Sequence, residues 1–302
     1  MSYIEDQRKK VIAFRNGVFR DPGGGVYKGK TREFVLHDAV LNLWDGIRED
    51  ALAYFKRNQI VWWGGNDSTP TGHLLSSQIA CINHLYFFRQ RKDAATAVLR
   101  AVHPEIVEAV IMDNGFVEFE VVGAQNYLGE KSHNRGANAT SIDAVMVGKK
   151  ADGKNVLVLI EWKYTESYRP ENKYIPARAN IYNCLLAESD CPILVTAYES
   201  LYYEPFYQLM RQTLLGWKMV QAGDYGCDEY IHLHVIPSAN KELKLRVTSP
   251  GLHGDSMSEA WKNVLLDPAR YAVISPEAFL APARLCGEIA EIFTYLERRY
   301  WG

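Results

Sequence analysis

Apolar residues recur at a helical spacing through both ends of the chain. Where they return every three or four positions, one face of a helix is expected to be buried. This spacing predicts helices over residues 33–55 (one or two helices), 74–88, 94–103, 173–188, 205–220, 256–266 and 283–300. The first 25 residues are charged and end in Asp-Pro-Gly-Gly-Gly, a cluster that predicts a loop.

The middle of the chain changes to a period of two, which is typical of β-strands. Strands are predicted over residues 116–122, 141–147, 156–164, 193–197, 230–236 and 271–274. Asp152-Gly153 separates the second strand from the third and favours a tight turn, so these two strands should pair as an antiparallel hairpin. The order of elements then predicts an α/β core, a mixed central sheet flanked by helices on both faces, with helical additions at the N and C termini.

The composition is that of an ordinary folded protein. The 302 residues are 47% hydrophobic and 23% charged, which excludes wholesale disorder and coiled coil. Because the net charge is -2, a nucleic-acid partner would have to be held by a local basic patch. Five cysteines without a C-x-x-C pair, a polar N terminus and no long apolar run predict a cytoplasmic protein with no membrane partner.

The third predicted strand ends in charged residues. It is built of Val, Leu and Ile as far as residue 160, which indicates burial on both faces, and continues as Glu161, Trp162 and Lys163. Side chains alternate across a strand, so Glu161 and Lys163 share a face and Trp162 points to the other. Buried charges of this kind are costly unless they are paired or bind a metal. With Asp143 on the other hairpin strand they predict a functional site, the alternative being a structural salt-bridge cluster.

These residues offer oxygen ligands to a hard divalent cation, Mg²⁺ or Mn²⁺. The ligands would be the carboxylates of Asp143 and Glu161 and the backbone carbonyl of Trp162. A cation at this position polarises a phosphoryl oxygen and lowers the pKa of a bound water. Lys163 would orient that water or stabilise charge developing on the phosphate. The arrangement therefore predicts phosphodiester hydrolysis without a covalent intermediate.

The same residues carry a resemblance to a known superfamily. S-I-D-A-V-M at residues 141–146 and V-L-I-E-W-K at 158–163 resemble the D…(D/E)-x-K pattern of the PD-(D/E)xK nucleases, the restriction-endonuclease-like proteins. Ile142 stands where that superfamily often has proline. Three flanking motifs are similar to those of a bacterial branch of restriction-endonuclease-like proteins: Ser76-Ser77-Gln78 with Asn83, Lys163-Tyr164-Thr165-Glu166 and Gln208-Leu209-Met210-Arg211. The resemblance implies an αβββαβ core and a nuclease that uses Mg²⁺ or Mn²⁺.

The resemblance and the predicted elements together suggest how the chain is divided. Residues 1–70 are expected to form a helical N-terminal extension and residues 71–240 the restriction-endonuclease-like core. Residues 241–302 are expected to form a C-terminal helical addition that packs on the core, all within one compact domain.

Two residues outside the pattern are further candidates for the site. Glu118 and Glu120 share a face of the strand over residues 116–122, and Glu120, nearer the strand end, is the better candidate for an extra metal ligand. The alternative is a solvated strand face. Gln78 lies close to the apolar stripe of its helix, where an amide needs a partner. In related nucleases this helix can supply an acidic group, so the resemblance implies that Gln78 could bind the metal or position water. The alternative is a core amide with satisfied hydrogen bonds.

Four basic residues are candidates for nucleic-acid binding. Lys131, His133 and Arg135 belong to the polar loop 129–136 that precedes the Asp143 strand, and Arg211 lies on the helix over residues 205–220. A solvated loop and a solvated helix face are the alternatives.

These observations predict a metal-dependent DNA endonuclease that acts on duplex DNA. Asp143 and Glu161 would bind the metal, and Lys163 would assist the attacking water. Cleavage of both strands usually requires two such sites, so a homodimer is expected. The alternatives are a catalytically inert restriction-endonuclease-like module that binds nucleic acid or protein, and an α/β protein in which Glu-x-Lys is accidental.

Overall fold

A mixed sheet of six strands forms the centre of the part of the chain that the structure describes. The structure is a computed structural model, and it describes residues 2–66, 68–135, 139–195 and 197–301. Two short strands form a separate hairpin near the N terminus, β1 (Gly25–Tyr27) and β2 (Lys30–Arg32). The strands of the central sheet are β3 (Ile106–Val110), β4 (Glu118–Val121), β5 (Ile142–Lys150), β6 (Asn155–Trp162), β7 (Glu229–Val235) and β8 (Tyr271–Ile274).

The order of strands across the sheet is β3, β5, β6, β7, β8, and β4 pairs with β5 on the same side as β3. The pairs β3–β5, β4–β5 and β5–β6 are antiparallel, whereas β6–β7 and β7–β8 are parallel. The predicted hairpin between β5 and β6 is thus confirmed, and so is the predicted mixed sheet. β6 lies in the middle with a strand on each side, which agrees with its almost wholly apolar sequence.

Helices cover both faces of the sheet. Within the described residues they are α1 (Tyr3–Phe14), α2 (Arg48–Arg57), α3 (Ser77–Leu85), α4 (Lys92–Val102), α5 (Pro176–Leu186), α6 (Phe206–Gln221), α7 (Lys241–Leu245), α8 (Met257–Lys262), α9 (Pro276–Leu280) and α10 (Ala290–Leu296). None of the helices in this part of the chain is long and apolar enough to cross a bilayer.

Two apolar cores lie on opposite faces of the sheet. Ile160 and Trp162 of β6 belong to the first core, which contains side chains from α2, α3, α4, α9 and α10. Leu157 and Leu159 belong to the second, with side chains from α5, α6 and α8. Helix α6 approaches β6 closely, because a Cβ on Gly216 would lie 2.0 Å from Leu159 Cδ1. The alternation predicted for β6 is therefore present, and the second face is covered by α6.

Several predicted elements are confirmed with small shifts in their ends. Helices over 94–103 and 205–220 correspond to α4 and α6, and the strand over 271–274 is β8. The predicted loop around Asp21-Pro22-Gly23-Gly24 is also present. The strand β8 comes from the segment 241–302 and joins the sheet beside β7, so the C-terminal part adds a strand as well as helices. The division into a core and two additions stays a prediction.

Other elements differ from prediction. Helix α1 is not predicted by the apolar spacing, because only Gln7, Val11 and Phe14 of its 12 residues are buried. Strand β3 is also missed, since as an edge strand it buries few apolar residues. The helix predicted over 283–300 is broken: a 3₁₀ segment, α10 and a π-helical turn share that region.

The strand predicted over residues 193–197 is wrong for the residues that are described. Ile193 makes a single bridge to Leu265, and Leu194 and Val195 extend no ladder. Residue 196 lies outside the described residues. A short apolar run does not by itself distinguish a strand from a buried loop.

Candidate active site

Asp143 and Glu161 lie side by side at one end of the sheet. Ala144 of β5 pairs with Ile160 of β6, so the next position outward along this antiparallel ladder places Asp143 beside Glu161 on the same face. Asp143 Oδ2 accepts a hydrogen bond of 2.7 Å from the backbone N–H of Trp162. The hairpin therefore brings together the two carboxylates that the sequence singled out.

Lys163 completes a buried ionic group on this face. Glu161 is 1% exposed and Lys163 is 5% exposed, and the Lys163 ammonium forms an ion pair with Glu161 Oε1. The Lys163 backbone N–H donates to Val235 O at 2.9 Å, which extends the pairing of β6 with β7 by one residue. Burial alone would lower the pKa of the ammonium, but the adjacent Glu161 raises the pKa of Lys163 well above its ordinary value. Lys163 is consequently a fixed positive charge.

Two glutamines of α6 hold this ion pair. Gln208 accepts from Lys163 Nζ at 2.6 Å through Oε1 and donates to Glu161 Oε1 at 2.7 Å through Nε2. One helical turn later, Gln212 donates through Nε2 to Glu161 Oε2. From the sequence, Gln208 is a possible phosphate contact on one helical face with Arg211, the alternative being a solvated helix face, and Gln212 is not predicted. Their spacing of four residues on a helix that faces β6 is the signal that could have found both.

The network continues from Gln212 into β7. His232 Nε2 is 3.2 Å from Gln212 Oε1, and His232 Nδ1 is 3.1 Å from Thr213 Oγ1. Burial, together with the charge of Lys163, lowers the pKa of His232 to about 3, so its ring is neutral at pH 7. A neutral ring can donate from one nitrogen and accept at the other, as these two contacts require.

Glu120 and Gln78 form a second polar group next to Asp143. Glu120 is 6% exposed; its Oε1 accepts from Gln78 Nε2 at 2.8 Å and its Oε2 from Ser141 Oγ at 2.9 Å. The φ angle of Glu120 is +50°, a left-handed conformation that costs a non-glycine residue energy. Gln78 also accepts from the backbone N–H of Trp63 at 2.9 Å and donates to Val61 O at 3.3 Å.

Two of the three carboxylates, those of Glu120 and Asp143, line one cleft at this end of the sheet. Its volume is about 540 Å³, and Gln78, Glu120, Ser141 and Asp143 all contribute to its wall. Glu161 and Lys163 do not line it; they lie buried behind Asp143. The site thus has an accessible carboxylate pair and a buried ion pair.

The carboxylates of Asp143, Glu120 and Glu161 repel one another electrostatically. Burial raises the pKa of Asp143 well above its usual value, and the negative charges of Glu161 and Glu120 raise it further. Burial likewise raises the pKa of Glu120, with Glu161 adding to the effect. Carboxylates that repel each other in this way are stabilised by a cation.

The residues present fit a magnesium-type site with few protein ligands. No three His, Cys, Asp or Glu side chains form a metal-binding group among the residues that the structure describes. Mg²⁺ often takes only one or two protein carboxylates and keeps several waters. Asp143 and Glu161 with the Trp162 carbonyl would supply such a set, and Glu120 a further carboxylate. Because the three carboxylates already repel one another, the donor chemistry suits a divalent cation.

The four predicted nucleic-acid-binding residues lie in different surroundings. Lys131 is exposed, and His133 Nε2 is 3.2 Å from Val122 O. Arg135 is partly buried and donates from Nε to Phe119 O at 3.1 Å and to Glu120 O at 3.2 Å. Arg211 packs its guanidinium 4.8 Å from the centre of the Tyr207 ring. Their binding role stays a prediction; residues 136–138, which include the end of the predicted loop, lie outside the described residues.

The other singled-out side chains have structural contacts. Glu118 is 2% exposed; it pairs with Arg89 at 2.8 Å and accepts from the Tyr54 hydroxyl at 2.5 Å. The solvated strand face suggested as the alternative for Glu118 and Glu120 is therefore wrong. Asn83 is fully buried and joins the backbone of Trp44 to the hydroxyl of Tyr300.

Comparison with known proteins gives a family match for this chain. A family model described as Restriction Endonuclease associating with ARP matches residues 8–301. No curated protein and no solved structure matches the chain significantly. The match supports a restriction-endonuclease-like family across nearly the whole chain, and the PD-(D/E)xK pattern itself stays a prediction.

Proposed function

The chain belongs to the family of restriction endonucleases associating with ARP, and from that premise we propose that it is a metal-dependent phosphodiester hydrolase, most specifically a DNA endonuclease of the PD-(D/E)xK type. The observation that carries the proposal is the register of β5 and β6, which sets Asp143 beside Glu161 with Lys163 on the same face. The charges of Glu161 and Lys163 at the end of a central strand are costly to bury, and catalysis is a reason to keep them.

Each residue of the site has a role in the proposal. Asp143, Glu161, the Trp162 carbonyl and Glu120 would hold Mg²⁺ or Mn²⁺, which supplies a Lewis acid and an acidified water. Lys163 has a raised pKa, so it would act as a positive charge towards the phosphate and not as a general base. Gln78, bonded to Glu120, would orient a water beside that carboxylate.

The proposed partners are duplex DNA, a second copy of the chain and ARP. Lys131, His133, Arg135 and Arg211 would contact the phosphates of duplex DNA. A homodimer would supply the second site that double-strand cleavage needs. The family's description names an association with ARP, and we extend that association to this chain. All five cysteines are free thiols, which suits a cytoplasmic location.

One observation favours the alternative of an inert binding module. Both carboxylate oxygens of Glu161 already accept hydrogen bonds from glutamines of α6, and Lys163 is paired with the same carboxylate. A group so fully satisfied inside the protein can be a structural centre. Asp143 lines an open cleft, and a purely structural pair of Glu161 and Lys163 would not need a carboxylate there. This position of Asp143 weighs against the inert module.

A cleavage assay tests the proposal. Plasmid DNA, linear DNA and RNA are incubated with the purified protein and Mg²⁺ or Mn²⁺. The same assay is run on Asp143→Ala and Lys163→Ala. The control is Lys92→Ala, because Lys92 is exposed and lies outside the cleft lining. We expect cleavage by the native protein and the control, loss in both site variants, and none in EDTA. Equal cleavage by all four proteins would show contamination, and no cleavage of any substrate would favour the inert module.

A further inference from the structure

We propose that the cleft beside Asp143 receives one unpaired nucleobase, which stacks on Trp63. This inference rests on the proposed function and specifies its substrate: a nucleic acid with an unpaired or extruded nucleotide next to the phosphate to be cleaved. It starts from an aromatic surface that the nuclease assignment leaves unexplained.

Adjacent tryptophans have opposite environments. Trp62 is 2% exposed and stacks on Phe55 with ring centroids 3.8 Å apart and planes 13° apart, so it belongs to the core. Trp63 is 50% exposed and lines the cleft that contains Asp143. A large indole left half in water costs free energy unless something covers it. From the sequence, both tryptophans are predicted to be core or edge residues and not base-stacking surfaces.

Trp63 belongs to a group of three aromatic rings, two of which, those of Trp63 and His73, line the cleft. Its ring centroid is 6.2 Å from that of Tyr27 and 6.5 Å from that of His73, and the Tyr27 and His73 rings are 4.5 Å apart. His73 accepts the backbone N–H of Leu75 at Nδ1, and burial lowers its pKa to about 4, so this ring is uncharged at pH 7. The group therefore presents neutral aromatic rings of the kind on which bases stack.

The backbone of Trp63 is linked to one carboxylate of the site, that of Glu120, through Gln78. The Trp63 backbone N–H donates to Gln78 Oε1 at 2.9 Å, and Gln78 Nε2 donates to Glu120 Oε1 at 2.8 Å. A base stacked on Trp63 would thus be held beside the residues proposed to act on the phosphate. This proximity is what positioning of a reacting group requires.

Basic side chains belong to the hairpin that carries Tyr27. The hairpin β1–β2 carries Tyr27, and its turn and second strand carry the exposed residues Lys28, Lys30 and Arg32. The Lys28 ammonium lies 5.4 Å from the centre of the Tyr27 ring. Aromatic rings beside lysines form a surface for single-stranded nucleic acid, in which the rings stack bases and the cations bind phosphates.

The shape of the site favours an unpaired base over a paired one. The cleft volume of about 540 Å³ falls within the range of sites that enclose a small molecule, roughly 300–1,000 Å³. Bases inside a duplex are already stacked on both faces, so only an extruded or single-stranded base can use Trp63.

Binding in EDTA tests this inference without requiring cleavage. One short sequence is prepared as single-stranded DNA, single-stranded RNA, duplex DNA and an abasic strand of equal charge, and binding is measured by fluorescence anisotropy. The proteins are wild type, Trp63→Ala, Trp63→Phe and a control, Tyr174→Ala, whose ring is 37% exposed and outside the cleft lining. Quenching of tryptophan fluorescence is recorded in the wild type and in Trp63→Phe.

We expect Trp63→Ala to weaken binding of single strands by about tenfold, because a stacked base is lost. Trp63→Phe should keep most of the affinity, and the abasic strand should bind the wild type as weakly as the normal strand binds Trp63→Ala. The quenching should disappear in Trp63→Phe, and the DNA and RNA arms identify which strand is preferred.

Unchanged affinity in Trp63→Ala, or equal binding of abasic and normal strands, would overturn the inference. So would a duplex that binds tightly with no contribution from Trp63. Failure of the nuclease proposal is distinguishable, because it would abolish cleavage and leave this binding pattern intact.

Discussion

At the scale of single residues, the buried ion pair of Lys163 and Glu161 costs desolvation free energy. Both side chains are almost fully buried, and each is satisfied chiefly by the other and by glutamines of α6. A buried pair of this kind stabilises little over an apolar pair of the same size, but removing one partner leaves an uncompensated charge. The pair should therefore respond strongly to a single substitution.

Lys163→Met is expected to lower the free energy of unfolding by about 3 kcal/mol, because Glu161 is left buried without its counter-ion. Adding Glu161→Gln should recover much of this loss, since the double variant no longer contains an isolated charge. Urea unfolding of the three proteins measures both effects.

The matched control is Lys92→Met, which breaks an ion pair with Glu108 at 2.6 Å between side chains that are 56% and 42% exposed. It should cost little stability, because water screens an ion pair between exposed side chains. If Lys163→Met cost no more than this control, the buried pair would not be coupled as described.

Sequence alone identified Asp143, Glu161 and Lys163 because charges on an otherwise apolar strand are conspicuous. The strand periodicity also fixed the face that Glu161 and Lys163 share. Gln212 is not predicted, although its spacing of four residues from Gln208 on a helix that faces β6 is a usable signal. Ser141 could not be recognised, because a hydroxyl before a strand is ordinary until its partner is known. Trp63 could not be separated from Trp62 for the same reason: a loop has no period that decides which ring is buried.

At the scale of elements, the end of β4 depends on a side chain from the following loop. Glu120 has a left-handed φ of +50°, and Arg135 donates to the carbonyls of Phe119 and Glu120 at this point. Its guanidinium also donates to the Tyr54 hydroxyl at 2.9 Å. Arg135 thereby holds the strand in the conformation that presents Glu120 to the cleft.

Arg135→Ala is expected to lower stability by about 2 kcal/mol, because two carbonyls and the Tyr54 hydroxyl lose their donor. Cleavage should fall as well, since Glu120 is no longer held in place. Thermal unfolding and the cleavage assay measure the two effects.

Lys131→Ala is the comparison, because Lys131 is an exposed cation of the same loop. It should leave the unfolding temperature unchanged and weaken nucleic-acid binding only. Loss of binding in Arg135→Ala with full stability would instead support a direct contact between Arg135 and phosphate.

The elements themselves were predictable to different degrees. Strongly periodic segments such as α4 and α6 and the β5–β6 hairpin follow from the sequence, because burial of one face imposes the period. The helix α1 and the edge strand β3 bury few residues, so their pattern is weak. The C-terminal region carries a helical period through 283–300, but tertiary packing divides it into three shorter pieces.

At the scale of the whole molecule, a neutral histidine connects the C terminus to α3. His84 is 1% exposed; its Nδ1 lies 2.6 Å from Ala80 O, and its Nε2 accepts from the Trp301 indole N–H at 3.0 Å. An indole can only donate, so the histidine must keep Nε2 unprotonated. Burial lowers the pKa of His84 to about 3, against 6.5 for an ordinary histidine.

This depressed pKa predicts acid sensitivity. Below pH 6.5 the His84 imidazole binds a proton in the unfolded chain, but in the folded chain it does so only near pH 3. The stability that the neutral His84 confers is therefore complete above pH 6.5. It is lost as the pH falls from 6.5 towards 3. The expected slope for this residue is about 1.4 kcal/mol per pH unit.

His84→Gln should lack that slope, so the difference in free energy of unfolding between variant and wild type should change with pH by about that amount, measured by urea unfolding between about pH 7 and pH 5. His253→Gln is the control, because His253 is exposed, and it should leave the pH dependence unchanged. Parallel curves for His84→Gln and wild type would show that His84 is protonated in the folded protein.

Binding of Mn²⁺ to the free protein tests most directly whether Asp143 and Glu161 form a cation site. Titration followed by electron paramagnetic resonance counts bound ions in the wild type, in Asp143→Asn and in Glu108→Gln, which changes a carboxylate on β3 outside the cleft lining. The account predicts one bound ion in the wild type and in Glu108→Gln, and its loss in Asp143→Asn. Equal binding by all three proteins, or none by the wild type, would contradict it.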